Sequence, residues 1–484
     1  MQQEKGSITV FSLLSLLLIT AALFALLEGT RLQEMQRLAD LQTEIALESG
    51  FACYNTCLWK NYHLLGTGQE EMEQQLEQIA NGRVGHGTNL FRMKVEEISL
   101  EEYVLLTDAD GRVFIRSAAT YMRDNWVYEA AKEIYSQYEA IKYLMESSQM
   151  DETDIGKALQ EMENAQKANS QKAIRNRTSQ TQTPIPSLEL DVRELLELAK
   201  SWKEYGILEL VIKEKEKISQ SQPDFSNSLL KRDRNEGTNL EQEPINWQER
   251  VLFQQYLLTY MSYFQGEKEG RALSYELEYL IGEKSSDIEN LKAVATKLLA
   301  IREAVNFIYL LSNPVKMAQA ESVATLIAGA SLNTVLIEAV KVGILTAWAL
   351  AESILDVRAL LSGKRIPLLK SDETWTTELA KLSEIMEGYP MAKESTWGLN
   401  YENYLGVLLL MEKEEEVAMR AMNAQEATVR MTYEDDAFGI DTLLVNTKVK
   451  IAYSYKPVFP FLQVIDAENQ WEPRVWGRKS YGYY

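Results

Sequence analysis

The sequence predicts a mainly helical α+β protein that is held at a membrane by its N-terminus. The stretch Ser7–Leu27 is apolar, contains no charge, Gly or Pro, and is long enough to cross a bilayer as a helix. Apolar residues recur at helical spacing in most of the remaining chain. Alternation of apolar and polar residues, which is typical of strands, is confined to short stretches. We therefore expect a transmembrane helix that continues as a stalk, and a helical extracytoplasmic body with small antiparallel β elements.

The apolar stretch has the features of a retained anchor rather than of a cleaved signal peptide. A secretory signal has a shorter apolar centre and a small-residue cleavage site, whereas the charged segment 28–31 follows here. Lys5 precedes the stretch, and Arg31 and Arg37 follow it, so the charge count does not favour a cytoplasmic N-terminus. The short polar leader does favour it, because a short tail is easier to retain than to export. We expect a single-pass protein of the cell membrane, anchored through residues 7–27.

The composition bounds the number of domains and the classes of partner. A chain of 484 residues is expected to form two or three sub-domains besides the anchor. The formal net charge of −21 argues against binding to nucleic acid and against adsorption to anionic lipid beyond the anchor. The expected divisions are a leader and anchor (1–30), a stalk helix with a small β hairpin (31–120), a helical hairpin with a polar, partly mobile insert (121–245), and a helical core with a C-terminal strand (246–484).

Helical spacing continues beyond the anchor to about Trp59. The only two cysteines, Cys53 and Cys57, lie four residues apart on one face of that helix. A disulfide at this spacing would be strained, so we expect two small buried side chains. Zinc is not expected, because His63 is the only imidazole nearby and a structural site requires four ligands.

Alternating residues predict two strands around a turn, one beginning at Met93 and the other near Ile115. The turn contains Asp108, Asp110 and Gly111, a spacing that also resembles the start of a calcium loop. The other ligands and the closing Glu are not at the required offsets. A plain turn is therefore the expected structure.

The same patterns predict further elements along the chain. Residues 125–169 are expected to form a helical hairpin, and residues 165–245 a polar region that projects from the core. Alternation predicts a strand at Leu273–Ile281, and Ser286 with Glu289 forms a capping-box pattern that starts a helix. Towards the C-terminus we expect a helix over Tyr401–Arg430, a strand over Val445–Tyr455, and an aromatic, basic tail over Trp471–Tyr484 that packs on the body.

The most hydrophobic part of the body is Met317–Gly363. Its longest uncharged run, Val342–Ala351, is about half of what a membrane span needs, so core helices are expected. Glu352 and Asp356 follow on one helix face. Paired carboxylates can perform acid–base catalysis. The alternative, which we expect, is that Arg or Lys side chains pair with them, because burying an unpaired charge is costly.

No pattern typical of an enzyme accompanies these carboxylates. The sequence contains no phosphate-binding loop, dinucleotide fingerprint or nucleophile elbow. We therefore expect a protein that is not an enzyme, with no catalytic, cofactor-binding or metal-binding residues and no small-molecule substrate.

The segment Lys5-Gly6-Ser7-Ile8-Thr9-Val10-Phe11 resembles the processing site of type IV prepilins and of the pseudopilins of tight adherence (Tad) systems. The resemblance implies cleavage after Gly6, so that Ser7 becomes the first mature residue. The sequence departs from major pilins at the fifth mature position, where Phe11 replaces their Glu. The alternative is a plain signal anchor that is not cleaved.

A second resemblance covers most of the chain outside residues 165–245. It rests on the segments Leu277–Ile281, Glu289–Leu291, Ile301–Glu303, Ala347–Ala349, Glu352–Arg358 and Leu361–Lys370, and on Trp375. These are similar to an uncharacterised family of anchored surface proteins from Gram-positive anaerobes, associated with Tad-type pilus loci. The resemblance implies a structural or assembly component of a Tad or type IV-like pilus or secretion system, with other pilus or envelope proteins as partners. The alternative is an anchored surface binding or adhesion protein unrelated to pili.

Overall fold

The computed structural model describes residues 3–85, 91, 93–124, 136, 138–143, 206–238, 243–328, 334–386, 388–456 and 474–483. The chain forms two compact units, each assembled from separate segments of the sequence. Unit 1 contains residues 1–120, 231–245 and 433–484, and unit 2 contains residues 121–230 and 246–432.

Unit 1 combines a long N-terminal helix with a small antiparallel sheet. Its elements are α1 (Gln3–Phe51), α2 (Thr56–Tyr62), β1 (Thr67–Gly68), α3 (Gln69–Gly85), β2 (Met93–Leu105), α4 (Arg112–Asp124), β3 (Leu443–Tyr455) and β4 (Arg474–Gly482). Strand β3 is central, with β2 on one side and with β1 and β4 on the other. The prediction of a mainly helical protein with small antiparallel β elements is confirmed.

The predicted hairpin around Asp108 is wrong in its second strand. Residues 112–124 form α4, whose buried side chains Phe114, Ala118 and Met122 are spaced by one helical turn. The short alternation near Ile115 was therefore part of a longer helical pattern. The partner of β2 is instead β3, which lies more than three hundred residues further along the chain.

The second half of α1 packs on the sheet of unit 1. Met35, Ala39 and Leu47 are buried in one core cluster with residues of α3, β2, β3 and β4. Helix and sheet lie close together at Gly477 of β4, where an added Cβ would lie 2.5 Å from the carbonyl oxygen of Ala39 and would also clash with Thr43. Small residues on both surfaces thus allow this contact.

Helix α1 runs through Gly29 and Gly50 but ends at Phe51, before the predicted end at Trp59. The next helix, α2, begins separately because Asn55 caps it. The Asn55 side chain accepts a hydrogen bond from the backbone N–H of Leu58, which satisfies one of the unpaired donors of the first turn.

The described secondary structure of unit 2 is helical apart from two isolated β-bridges, Tyr263–Gly266 and Ile366–Leu399. Its elements are α5 (Ile207–Val211), α6 (Trp247–Tyr260), α7 (Glu276–Gly282), α8 (Asp287–Ser312), α9 (Pro314–Ala328), α10 (Thr334–Leu361), α11 (Tyr401–Met411) and α12 (Glu414–Tyr433). Helix α10 packs against α8 and α9, and nearly all of its residues from Val340 onwards are buried. It is long and apolar enough to cross a membrane, but 56% of its apolar window is buried inside the protein. It is therefore packed as a core helix.

Three local predictions in unit 2 need correction. The strand expected at Leu273–Ile281 is wrong, because residues 276–282 form the helix α7. All side chains from Glu276 to Ile281 are buried, so the sequence shows no hydrophobic period that would distinguish a helix from a strand. The single helix expected over Tyr401–Arg430 is broken at Glu412, which ends α11. Helix α8 starts at the predicted place, but the Ser286 hydroxyl donates to Glu289 and makes no cap to the backbone.

The polar region expected to project from the core is described only in part. Within it, Leu210, Val211 and Leu229 are buried, and Arg358 of α10 donates to the carbonyl of Leu210. These residues therefore pack as core and do not project. Most of the predicted helical hairpin at 125–169 and the whole stretch 165–205 lie outside the described residues, as do residues 457–473 before the C-terminal strand.

Candidate functional site

The first part of α1 is an apolar helix whose large side chains are exposed in the described structure. Phe11 is 71% exposed and Leu18 is 69% exposed, and the apolar window of this helix is 0% buried. Thr20 satisfies its hydroxyl within the helix by donating to the carbonyls of Leu16 and Leu17. A helix whose backbone and polar groups are paired internally meets the requirements of a bilayer, so this segment is a candidate membrane span.

Arg31 ties α1 to the sheet just after the apolar segment. It forms an ion pair with Glu28 at 2.6 Å and donates to the carbonyl oxygens of Phe91 at 2.7 Å and Lys456 at 3.0 Å. Its guanidinium also lies over the ring of Tyr455, 5.8 Å from the centroid. The sequence indicated Arg31 only as a charge that bears on membrane orientation, whereas the structure uses it to fix the base of the anchor.

Gly6 and Ser7 lie in the first turns of α1. The structure describes their backbone and not their side-chain surroundings. Cleavage between them stays a prediction.

The carboxylates Glu352 and Asp356 lie in a buried ion cluster with Arg302 and Lys370. The ammonium of Lys370 is 2.8 Å from Oε1 of Glu352 and 2.7 Å from Oδ1 of Asp356. The guanidinium of Arg302 is 2.9 Å from Oδ2 of Asp356. All four side chains are 0% exposed, and the expected pairing with Arg or Lys is confirmed.

Neutral groups add hydrogen bonds to the buried ion cluster, although Oδ1 of Asp356 accepts none from the described residues. Glu352 accepts from the backbone N–H groups of Thr376 and Thr377, at 3.1 and 2.8 Å. Asn306 donates to Oδ2 of Asp356 at 2.9 Å. Arg302 also donates to the carbonyls of Pro367 and Leu368, at 3.1 and 2.9 Å, and to the hydroxyl of Tyr404 at 3.0 Å.

The electrostatics of the buried ion cluster favour the charged form of Asp356. Burial opposes ionisation, but the charges of Arg302 and Lys370 outweigh it and hold the pKa of Asp356 below its ordinary value. The cluster is enclosed and opens to no solvent, so its carboxylates cannot meet a diffusing substrate in this conformation.

A second buried carboxyl, Glu278, escaped the sequence analysis. It accepts hydrogen bonds from the Phe264 N–H at 2.9 Å and from the Tyr401 hydroxyl at 2.7 Å. Its Oε2 accepts none from the described residues. Burial raises the pKa of Glu278 to about 7. The sequence did contain a signal, because Glu278 lies inside an apolar run. The incorrect prediction of a strand there placed its side chain on the solvent-facing side.

The turn after β2 is held by Asp108. Its two carboxylate oxygens accept from the backbone N–H groups of Leu105 and Gly237, at 2.8 and 2.9 Å. Ala109, Asp110 and Gly111 follow with positive φ. The carboxylate of Asp108 thus acts as a backbone acceptor, which agrees with the plain turn that we expected.

The cysteines are both free, and only one of them is buried. Cys57 lies in α2 and is buried, whereas Cys53 is exposed just after the end of α1. The expectation of two buried side chains is therefore wrong for Cys53, because α1 ends before it. Among the described residues, no group of three or more His, Cys, Asp or Glu side chains is arranged to hold a metal ion.

Comparison with known proteins yields one family. The model of DUF5702, a family of unknown function, matches residues 187–455. This match contains the buried ion cluster, Glu278 and strand β3, but not the anchor. No curated protein and no solved structure matches the chain. Because the matched residues are more than half of the sequence, the chain belongs to the family DUF5702.

Proposed function

We propose that the protein is a membrane-anchored structural or assembly component of a Tad or type IV-like pilus or secretion system, with its body outside the cytoplasm. The observation that carries the proposal is the continuity of α1, a single helix of 49 residues. Its first part is exposed and apolar, and its second part is built into the sheet of unit 1. An unbroken helix links the membrane to the folded body without a flexible joint.

The energetics of α1 require a partner for its apolar part. Thirteen large apolar side chains between Ile8 and Leu27 are exposed, and burying each contributes about 1.5–3 kcal/mol. Their transfer out of water is therefore favourable by tens of kcal/mol, on the order of 20–40. A bilayer supplies that environment for a lone chain, and neighbouring apolar helices supply it in an assembly.

The segment around Gly6 and Ser7 favours an assembly role over a plain anchor, because it resembles a prepilin processing site. Phe11, in place of the usual Glu, supports an accessory subunit, pseudopilin-like, rather than a major pilin. The role we propose is not enzymatic, and the enclosure of Glu352 and Asp356 by Arg302 and Lys370 supports this.

Sequencing of the N-terminus tests the proposal. The protein is isolated from cells that have been verified to contain an active prepilin peptidase. We expect the mature chain to begin at Ser7 and the Gly6→Ala variant to stay uncut. Gly29→Ala is the matched control, since a Cβ at Gly29 meets no atom within 4 Å, and it should be cut normally.

Two outcomes would contradict the assembly role. An intact Met1 beside an active prepilin peptidase would leave an anchored surface binding or adhesion protein as the better assignment. Cleavage after Ala22 or beyond would show an ordinary signal peptide, and the anchor itself would then be absent from the mature protein.

A further inference from the structure

Lys370 is held between two carboxylates in a site without solvent. Its Nζ lies 2.7 Å from Oδ1 of Asp356 and 2.8 Å from Oε1 of Glu352, and all three side chains are 0% exposed. Nζ also donates to the carbonyl of Thr374 at 3.3 Å. An amine held permanently against a carboxyl group has a very high effective concentration, on the order of 10⁵ M or more in well-oriented intramolecular reactions.

We propose that Lys370 and Asp356 become joined by an amide bond between Nζ and Cγ, with Glu352 transferring the protons. This cross-link is a modification of the protein's own core, and it does not depend on the proposed role in a pilus.

The reaction balances without any other reagent. Glu352 first relays one proton from the ammonium of Lys370 to Oδ1 of Asp356, which makes both groups neutral, and the amine then attacks Cγ. Glu352 next relays a second proton from the nitrogen to Oδ1, which leaves as water when its bond to Cγ breaks. Of the three ammonium hydrogens, one stays on the amide nitrogen and two leave in the water molecule, so nothing is oxidised or reduced.

The donors around Asp356 are placed to stabilise the intermediate. Oδ2 carries the negative charge of the tetrahedral state and receives hydrogen bonds from Nε of Arg302 at 3.0 Å and Nδ2 of Asn306 at 2.9 Å. Preorganised donors at a developing oxyanion are a large contribution to acyl-transfer catalysis. The guanidinium donates a charged hydrogen bond, whereas Glu352 receives neutral backbone donors at Thr376 and Thr377, so Asp356 is the preferred electrophile.

The charges that remain after the reaction stay hydrogen-bonded. One positive and one negative charge disappear together, which removes two ions from the protein interior, where ions are costly. Arg302 keeps its bonds to the carbonyls of Pro367 and Leu368. Glu352 keeps its bonds to the two backbone N–H groups.

The product would fasten α10 to the segment that follows it. Asp356 lies in α10, and Lys370 lies beyond its end in the segment leading to Trp375. The only cysteines of the chain lie in unit 1 and are unbonded, so the amide would be a covalent cross-link in unit 2 that no reductant can open.

Mass spectrometry of the full-length protein, digested with trypsin, tests the cross-link. We expect a branched peptide that joins the segments of Asp356 and Lys370 and is lighter than their sum by one water. Lys370→Arg and Glu352→Gln should give the two separate peptides, with circular dichroism used to confirm that each variant folds. Lys316→Arg is the matched control. Lys316 is a partly buried lysine of the same unit that lies over the rings of Trp348 and Trp375, and the Lys316→Arg variant should still give the branched peptide.

Recovery of both unlinked peptides from wild-type protein would overturn the proposal, as would a branched peptide joined at Glu352. A Glu352→Gln variant that folds and still forms the full amount of cross-link would refute the role of Glu352 in proton transfer.

Discussion

The buried carboxyl of Glu278 makes the stability of the protein depend on pH. Burial raises its pKa from 4.5 to about 7, although the Phe264 N–H and the Tyr401 hydroxyl donate to it and favour the charged form. Between these two pH values the folded state binds a proton that the unfolded chain has released. The free energy of unfolding therefore falls as the pH rises through this window.

The magnitude follows from the size of the shift. One pKa unit corresponds to about 1.4 kcal/mol, so this carboxyl contributes about 3 kcal/mol at a pH below the window and nothing above it. Other charged or titratable groups that interact with it are Asp287, whose charge raises the pKa further, and Tyr263 and Tyr275, which titrate far above this range because burial raises their pKa. Glu278→Gln keeps the size and the acceptor oxygen of the side chain but removes the titration.

The assay is urea denaturation of the full-length protein in detergent, at about pH 5 and about pH 8, on either side of most of the window. Wild type should lose about 2–3 kcal/mol more than Glu278→Gln between the two conditions. Glu269→Gln, which changes an exposed carboxylate of unit 2, should behave as wild type does. If wild type and Glu278→Gln lose the same free energy, the carboxyl is not neutral in the folded protein and the reasoning is refuted.

Three other predictions follow from the packing, the capping and the charges. Gly477→Ala should lower the free energy of unfolding by about 1–3 kcal/mol, measured by urea denaturation, because the new Cβ meets the backbone of α1; Gly29→Ala should not lower it. Asn55→Ala should cost about 1 kcal/mol in the same assay through loss of the cap on α2, and an unchanged value would show that the cap is not formed. Arg302→Leu should lower the free energy of unfolding by about 3–5 kcal/mol in protein that has not formed the Lys370–Asp356 amide, because Asp356 loses a buried counter-charge; an unchanged melting temperature of such protein would contradict this.

The sequence correctly predicts the parts of the fold that have either a long apolar run or a sustained alternation of side chains between two faces. The apolar run from Ser7 onwards is so long that a helix is the structure it predicts. Strand β3 is confirmed because its alternation continues over most of Leu443–Tyr455. Both signals are local, so no distant contact was needed to interpret them.

The parts that the sequence does not predict depend on distant contacts or on short, wholly buried runs. Helix α7 is buried on every side, and its few residues cannot distinguish a period of two from one of 3.6. The same ambiguity led to the wrong strand near Ile115. The pairing of β2 with β3 could not be predicted, because their separation in sequence leaves no turn signal between them.

The buried carboxylates show how far a physical argument from sequence extends. A carboxylate in an apolar helix has to be neutralised, either by a counter-charge or by a proton. As a free carboxyl, before any amide forms, Asp356 takes the first route with Arg302 and Lys370, and its pKa falls despite burial. Glu278 takes the second, because burial raises its pKa to about 7 even though a backbone N–H and a hydroxyl donate to it and favour the charged form. The sequence shows the requirement at both sites, but only the fold determines which cations reach the carboxylate, and so which of the two remains charged at neutral pH.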